Sequence, residues 1–188
     1  MKTAYLIHGW GGNSSYFDEL KKQLEKKKIR VYALDMPDTD NPKIEAWVGL
    51  LEKNAKNIDK DTYFVGHSIG CQTIMRFLER LPIDKEIAGA VFIAGWINLK
   101  GLDSYEKLIA KPWLETPINC DKAKRRVKKI VAIFSDNDNT MPLENKDFFK
   151  DRLGAKVFIE HQKGHFRGDD GITELPSALE ALLKMARQ

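Results

Sequence analysis

Acyl transfer by a protein needs a nucleophile, a base to take its proton, an acid to orient that base, and donors to hold an oxyanion. This sequence carries residues suited to each role. Gly66-His67-Ser68-Ile69-Gly70 reads G-x-S-x-G. It follows the apolar run Thr62–Val65 and opens a stretch in which Cys71, Ile74, Leu78 and Leu81 recur at helical spacing. A serine between strand and helix sits on a sharp, strained turn with its hydroxyl lifted above the sheet. Strand and helix approach closely there, and Gly66 and Gly70 suit positions with no room for a side chain. The plainer alternative is a glycine-flanked helix start with Ser68 acting only as a cap. The strand–turn–helix context favours Ser68 as the nucleophile.

A second glycine-rich turn, His8-Gly9-Trp10-Gly11-Gly12, follows the first apolar run. In this chemistry one oxyanion donor is the backbone N–H after the nucleophile, here Ile69, and the other comes from a loop after an early strand. Trp10 is the expected second donor. Glycine-rich loops after strands also bind phosphate, but the turn has neither G-x-G-x-x-G nor a P-loop lysine. Asn13 or Ser14 is placed to cap the helix that follows.

The chain has four histidines, His8, His67, His161 and His165. His67 adjoins Ser68, so the backbone aims it away from the hydroxyl, and His8 suits a packing role. His165, in Lys163-Gly164-His165-Phe166, lies in a loop beyond the last apolar run, whereas His161 ends that run. Ligands of open α/β sheets bind beyond the carboxyl ends of the strands, so His165 is favoured as base. The segment Ser135-Asp136-Asn137-Asp138-Asn139 follows another buried run and offers Asp136 and Asp138 as the orienting acid. Position within the loop does not separate the two.

The elements needed to position these residues are legible. Apolar runs at Ala4–Ile7, Arg30–Leu34, Thr62–Val65, Ala88–Ala94, Ile130–Phe134 and Lys156–Glu160 alternate with helix-length stretches. Those stretches fall near Ser14–Lys27, Ile44–Asn57, Ser68–Leu81, Glu144–Leu153 and Glu174–Ala186. Most of the runs are apolar enough for burial on both faces. Strand–helix alternation predicts an α/β fold, a mostly parallel central sheet with helices on both faces. No linker or repeat divides the chain, so one domain over residues 1–188 is expected. Gly95–Asn119 lacks clear periodicity and is rich in Trp, Pro and Leu. A long excursion of this kind is often functional, and it is expected to roof a pocket.

Composition bounds the rest. Charged residues make up 31% and hydrophobic ones 43%, the balance of a soluble globular protein. Two cysteines form no C-x-x-C and no disulfide framework, which suits a reducing cytoplasm. No secretory signal and no run of membrane-span length is visible. The net charge is +4. Its densest cluster, Lys122-Ala123-Lys124-Arg125-Arg126-Val127-Lys128-Lys129, leads into a buried run and reads as an exposed helix end, not as a nucleic-acid site. Asp35, Asp38 and Asp40 sit around a proline and suggest turn chemistry before metal binding.

Taken together the motifs resemble the small serine hydrolases of the retinoblastoma-binding-protein-nine/YdeN type. The segments that carry the likeness are Tyr5–Asn13, Asp35-Met36-Pro37, Val65–Cys71, Ser135–Asp138, Gly164-His165-Phe166 and Asp170–Pro176. The resemblance implies an α/β-hydrolase fold without a separate lid domain. It places the acid at Asp138 and the base at His165. The chain has Asn139 and Met141 where the family often has Pro and Val, departures that touch loop shape and pocket lining.

The expected activity is hydrolysis of esters or related activated acyl compounds through an acyl-enzyme on Ser68, Asp138 and His165, with no cofactor and no metal. Trp96, Trp113, Met141 and Phe166, together with Trp10, are candidates for an apolar pocket for a small-molecule acyl substrate. Short or medium acyl chains would suit it. The competing class is a protein-interaction module on a hydrolase fold with weak or no catalysis. Thioester or amide cleavage and lyase chemistry use the same scaffold.

Overall fold

In the computed structural model, which describes residues 1–187, the apolar runs become six strands of one sheet. They are β1 (Thr3–Ile7), β2 (Arg30–Leu34), β3 (Thr62–His67), β4 (Ile87–Ile93), β5 (Val127–Ser135) and β6 (Lys156–Glu160). The order across the sheet is β2-β1-β3-β4-β5-β6, and every neighbouring pair is parallel. The chain moves outward from β1 to β2, then returns to place β3 on the other side of β1. That reversal creates a switch point between β1 and β3, where open α/β sheets form their ligand crevice.

The helices are α1 (Asp18–Lys26), α2 (Ile44–Asn54), α3 (Ile69–Arg80), α4 (Ser104–Glu115), α5 (Cys120–Lys124), α6 (Asn145–Asp151) and α7 (Pro176–Ala186). They cover both faces, with α1 and α7 on one and α2, α3, α5 and α6 on the other. A short 3-10 turn, Ser14–Phe17, precedes α1, and the Asn13 carboxamide caps it by accepting from the Ser15 amide. Asp35 accepts from the Ser14 amide, 21 residues earlier, so this acid ties the turn after β2 to the start of the 3-10 turn instead of closing its own turn. No helix among the described residues is long and apolar enough to cross a membrane.

The central strands are apolar on both faces because helices lie on both. All of β3 is buried, and Phe92 and Phe134, from β4 and β5, pack edge-on against Phe149 of α6. Burial on both faces does not extend to the margins. Arg30 and Tyr32 of β2 are exposed, as are Lys156, Phe158 and Ile159 of β6. Each of these strands has only one neighbour to pair with.

Gly95–Asn119 departs from its aperiodic reading, because it contains α4. The signal was present. Asp103 and Glu106 form a reciprocal capping box, the Asp103 carboxylate accepting from the Glu106 amide at 2.8 Å and Glu106 accepting from the Asp103 amide at 2.9 Å. Pro112 inside the helix masks the pattern. Trp113, from α4, lies edge-on to Trp47 of α2, 6.0 Å between ring centroids.

The elbow requires very close packing of α3 against β1. A Cβ on Gly70 would lie 2.2 Å from the Ile7 carbonyl oxygen and 2.7 Å from that of His8. A Cβ on Gly66 would lie 2.8 Å from the Cys71 nitrogen. Because backbone cannot swing aside as a side-chain tip can, Gly70→Ala is expected to destabilise the fold by about 3 kcal/mol or more. Urea unfolding followed by circular dichroism measures the loss.

Candidate active site

The candidate triad, the oxyanion loop and Trp96 lie past the carboxyl ends of the strands. His8 to Trp10 follow β1, Ser68 follows β3, Trp96 follows β4, Asp138 follows β5, and His165 follows β6. Pairing continues one step beyond several strand ends. The Ser68 amide donates to the Ile93 carbonyl, Ala94 to Ile133, and Asp136 to Glu160. The loops therefore leave a common, rigid rim.

Ser68 has φ 53° and ψ −121° at the start of α3. A non-glycine residue holds positive φ only where its surroundings over-determine it. Here the amide is tied to β4 and the next turns are wedged against β1. The result aims the Ser68 hydroxyl along the rim. His165 Nε2 lies 3.0 Å from Ser68 Oγ, and His165 Nδ1 lies 2.7 Å from Asp138 Oδ2. An ionised carboxylate can only accept, so Nδ1 carries the proton and Nε2 presents its lone pair to the serine hydroxyl. Ser68, Asp138 and His165 are all buried.

The two acids and the two late histidines sort into two pairs. Asp136 Oδ2 meets His161 Nδ1 at 2.6 Å, with side chains 37% and 77% exposed. Asp138 and His165 form the buried pair, with side chains 2% and 5% exposed. Only the second pair touches Ser68. The other oxygen of Asp138 accepts from the Thr140 and Met141 amides at 2.7 and 3.1 Å, which fixes the carboxylate plane. Asp136 also accepts from the Gln162 amide, and that bond, followed by His161, holds its carboxyl below the usual carboxylate range.

The candidate oxyanion donors lie where the loops meet. Ile69 opens α3, where helix geometry offers its N–H no intrahelical acceptor. In the loop after β1, Gly11 donates to Thr39 and Gly12 to Gly9. The Trp10 indole donates to the Asp40 carbonyl at 3.1 Å, pinning the loop to the turn after β2. A Cβ on Gly9 would stand 3.3 Å from Ser68 Cβ, so this backbone lies directly against Ser68.

The four pocket candidates separate. The Trp96 indole N–H donates to Ser68 Oγ at 3.2 Å, and the ring is 1% exposed. Met141 and Phe166 are buried in the loops that carry Asp138 and His165. Trp113 takes a core position instead. Its indole donates to the Pro42 carbonyl at 2.9 Å, and its ring packs against Trp47 and the Arg76 guanidinium.

Several positioning residues have no sequence signature. Asn145, 2% exposed, accepts from the Ile97 and Asn98 amides and donates to the Asn98 and Pro142 carbonyls. It thereby joins the Trp96 loop to the Asp138 loop. Gln72 donates to the Trp96 carbonyl, and the buried Arg76 donates to Gln72 and to the Trp113 and Thr116 carbonyls. Asp170 accepts from the His165 and Arg167 amides, while the Tyr16 hydroxyl donates to the Phe166 carbonyl. A lone Asn, Gln or Tyr means nothing until the fold brings its partners near.

His67 and His8 also support the site. His67 Nε2 donates to the His165 carbonyl at 2.8 Å, beneath the stacked ring of Tyr16. His8 Nε2 accepts from the Met36 amide at 3.0 Å, so its Nδ1 carries the proton and donates to the Gly9 carbonyl. Both imidazoles are held neutral. Burial pushes the His67 pKa well below the usual histidine value, with the nearby His165 adding to the effect, and burial also lowers that of His8.

A parallel sheet with a strained serine elbow at its switch point, reached by a histidine and an acid from later strands, defines an α/β-hydrolase. The serine hydrolase family matches residues 4–184, and the chain belongs to that family. It is 29% identical over 183 residues to the YdeN protein of Bacillus subtilis (strain 168), covering 96% of this chain and 94% of that one. It is 25% identical over 180 residues to the serine hydrolase RBBP9 of Rattus norvegicus, covering 95% and 89% respectively. The crystal structure of the B. subtilis ydeN gene product superposes with a TM-score of 0.92 over the whole of both chains, at 26% identity.

The two neutral histidines set a pH dependence. The unfolded chain takes up protons at these positions near pH 6.5, and the folded chain does not. Unfolding therefore binds protons on the acid side, and stability falls as pH drops through that value and below. Thermal melts should show a lower Tm at pH 5.5 than at pH 7.5. His67→Gln, which removes one of the two groups, should shrink that difference; an unchanged difference would mean His67 is not held neutral.

Proposed function

We propose that the chain hydrolyses esters or related activated acyl compounds through an acyl-enzyme on Ser68. Ser68 Oγ attacks the carbonyl carbon while His165 Nε2 takes its proton. Asp138 keeps the imidazole in the tautomer that this requires and stabilises the imidazolium that forms. The N–H groups of Trp10 and Ile69 receive the oxyanion. His165 then returns the proton to the leaving alcohol, and activates the water that releases the acyl group.

The observation that carries this reading is the relay itself. One buried imidazole lies 3.0 Å from the serine oxygen and 2.7 Å from a carboxylate. A scaffold without catalysis has no use for a strained serine joined to such a pair, because positive φ at a non-glycine residue costs on the order of 1–3 kcal/mol.

Trp96 has a defined part in this scheme. Its indole donates to the oxygen that gives its proton to His165. The bond fixes the hydroxyl rotamer, and it strengthens as the oxygen gains negative charge. Trp96, Met141 and Phe166 are buried in the loops that carry these residues, and they make the surroundings of the reacting groups apolar.

The test is hydrolysis of a p-nitrophenyl ester series together with labelling by a fluorophosphonate probe. Ser68→Ala is expected to abolish labelling and to lower kcat by at least about 10³-fold. Asp138→Asn should lower kcat by about 10⁴-fold with the fold intact. Trp96→Phe keeps the bulk and loses the donor, so kcat should fall by about 10-fold with little change in KM. Equal rates for wild type and Ser68→Ala would refute the assignment.

A further inference from the structure

The sheet has two free edges, β2 and β6. β6 pairs with β5 on one side only. The Glu160 carbonyl accepts from the Asp136 amide, so it points toward β5. Backbone groups alternate in direction along a strand. Lys156, Phe158 and Glu160 therefore turn their amides and carbonyls inward, and Val157 and Ile159 turn theirs to the open edge. Among the described residues none bonds those outward groups. The strand also exposes large apolar side chains, Phe158 at 42% and Ile159 at 50%.

Its sequence is Lys156-Val157-Phe158-Ile159-Glu160, with a cation at one end, an anion at the other and apolar residues between. Rotated about Phe158 into an antiparallel pair, the strand complements itself. Lys156 then stands opposite Glu160 of the second copy, Val157 opposite Ile159, and Phe158 opposite Phe158. The register suits the backbone as well. Val157 and Ile159 form the hydrogen-bonded pairs, each exchanging both N–H···O bonds. Phe158 meets Phe158 at the close, non-hydrogen-bonded position, with Cα atoms about 4.5 Å apart. Neither Lys156 nor Glu160 forms an ion pair within its own chain among the described residues; Lys156 instead lies over the Phe158 ring at 5.0 Å.

The opposite edge lacks this symmetry. β2 reads Arg30-Val31-Tyr32-Ala33-Leu34, and the same operation about Tyr32 sets Arg30 against Leu34. Open edges are usually blunted by shortness, charges, a bulge, a proline or a covering element; β6 is short and charged at both ends but has no proline, and in the antiparallel pair its two charges meet as opposites.

We infer that β6 is a self-association surface, through which two copies of this chain join edge to edge into one continuous sheet of twelve strands with a two-fold axis at Phe158. The two sheets run antiparallel across the joint. Their carboxyl rims, each with a Ser68, therefore face opposite ways, and neither copy contributes to the other's site. A strand pair this short lies at the small end of specific interfaces, so the dimer is weak and forms only at high protein concentration.

Sedimentation of the full chain from about 10 μM to about 1 mM, in roughly physiological salt, tests the proposal. The wild type should pass from monomer to dimer over that range and stop there. Lys156→Glu sets like charges opposite each other and should weaken the dimer at least about 10-fold, as should Glu160→Lys. The double variant with both changes restores opposite charges and should recover the dimer. A variant that merely fails to fold would not be rescued in this way, and circular dichroism of each variant checks the fold. Ile159→Pro removes an outward N–H that the monomer does not use, and should leave a folded monomer. A wild type that stays monomeric at about 1 mM overturns the inference. So does a dimer that neither single charge reversal weakens.

Discussion

One imidazole holds the site together. His165 spans two partners that lie far from it in the chain, Ser68 at 97 residues and Asp138 at 27. Both contacts are short-range hydrogen bonds, and their strength falls steeply with distance and angle. The loops that follow β3, β5 and β6 must therefore leave the sheet at fixed heights relative to one another. A parallel sheet achieves this, because its strands run the same way and end on one rim. The ladder bonds that continue past the strand ends, from Ser68 to Ile93 and from Asp136 to Glu160, lock those heights.

Around the imidazole lies a set of buried polar groups, nearly all of them satisfied. Trp96 reaches the Ser68 hydroxyl from the loop after β4, and that loop is held from two directions. Gln72 of α3, itself held by Arg76, binds it on one side, and Asn145 binds it from the start of α6. Asp170 and His67 hold the loop that carries His165 in a similar way. The Arg76 Nε is the one buried side-chain nitrogen or oxygen left without a partner among the described residues. Each bond is modest, about 1 kcal/mol net, but a buried donor or acceptor left unpaired costs more, which makes the network hard to deform. Its neutral members matter for the same reason. A charged His67 would have no counter-charge in its buried position, and burial keeps it uncharged.

Much of this was legible in the chain. The elbow is a local feature, since Gly66, Ser68 and Gly70 read together with an apolar run before and a helical period after. The strand positions agree to within a few residues because hydrophobic periodicity is itself local. The exposed margins of the sheet were less clear, because β6 with Val157, Phe158 and Ile159 is as apolar as a buried strand. Helix α4 was hidden by Pro112, although the Asp103–Glu106 capping box marked its start.

By itself, then, the sequence determined the alternation of strands and helices, the strained serine, and the short set of histidines and acids able to serve it. These follow from residue types a few positions apart, whose effects on φ, ψ and burial are local. Tertiary structure decided the pairings. It matched Asp136 to His161 at the surface and Asp138 to His165 in the interior, sent Trp96 to Ser68 and Trp113 to the core, and gave Asn145 its bonds to two loops. Two acids two residues apart are nearly equivalent in one dimension. They become different only when strand register and loop direction turn one outward to water and the other inward to a second loop.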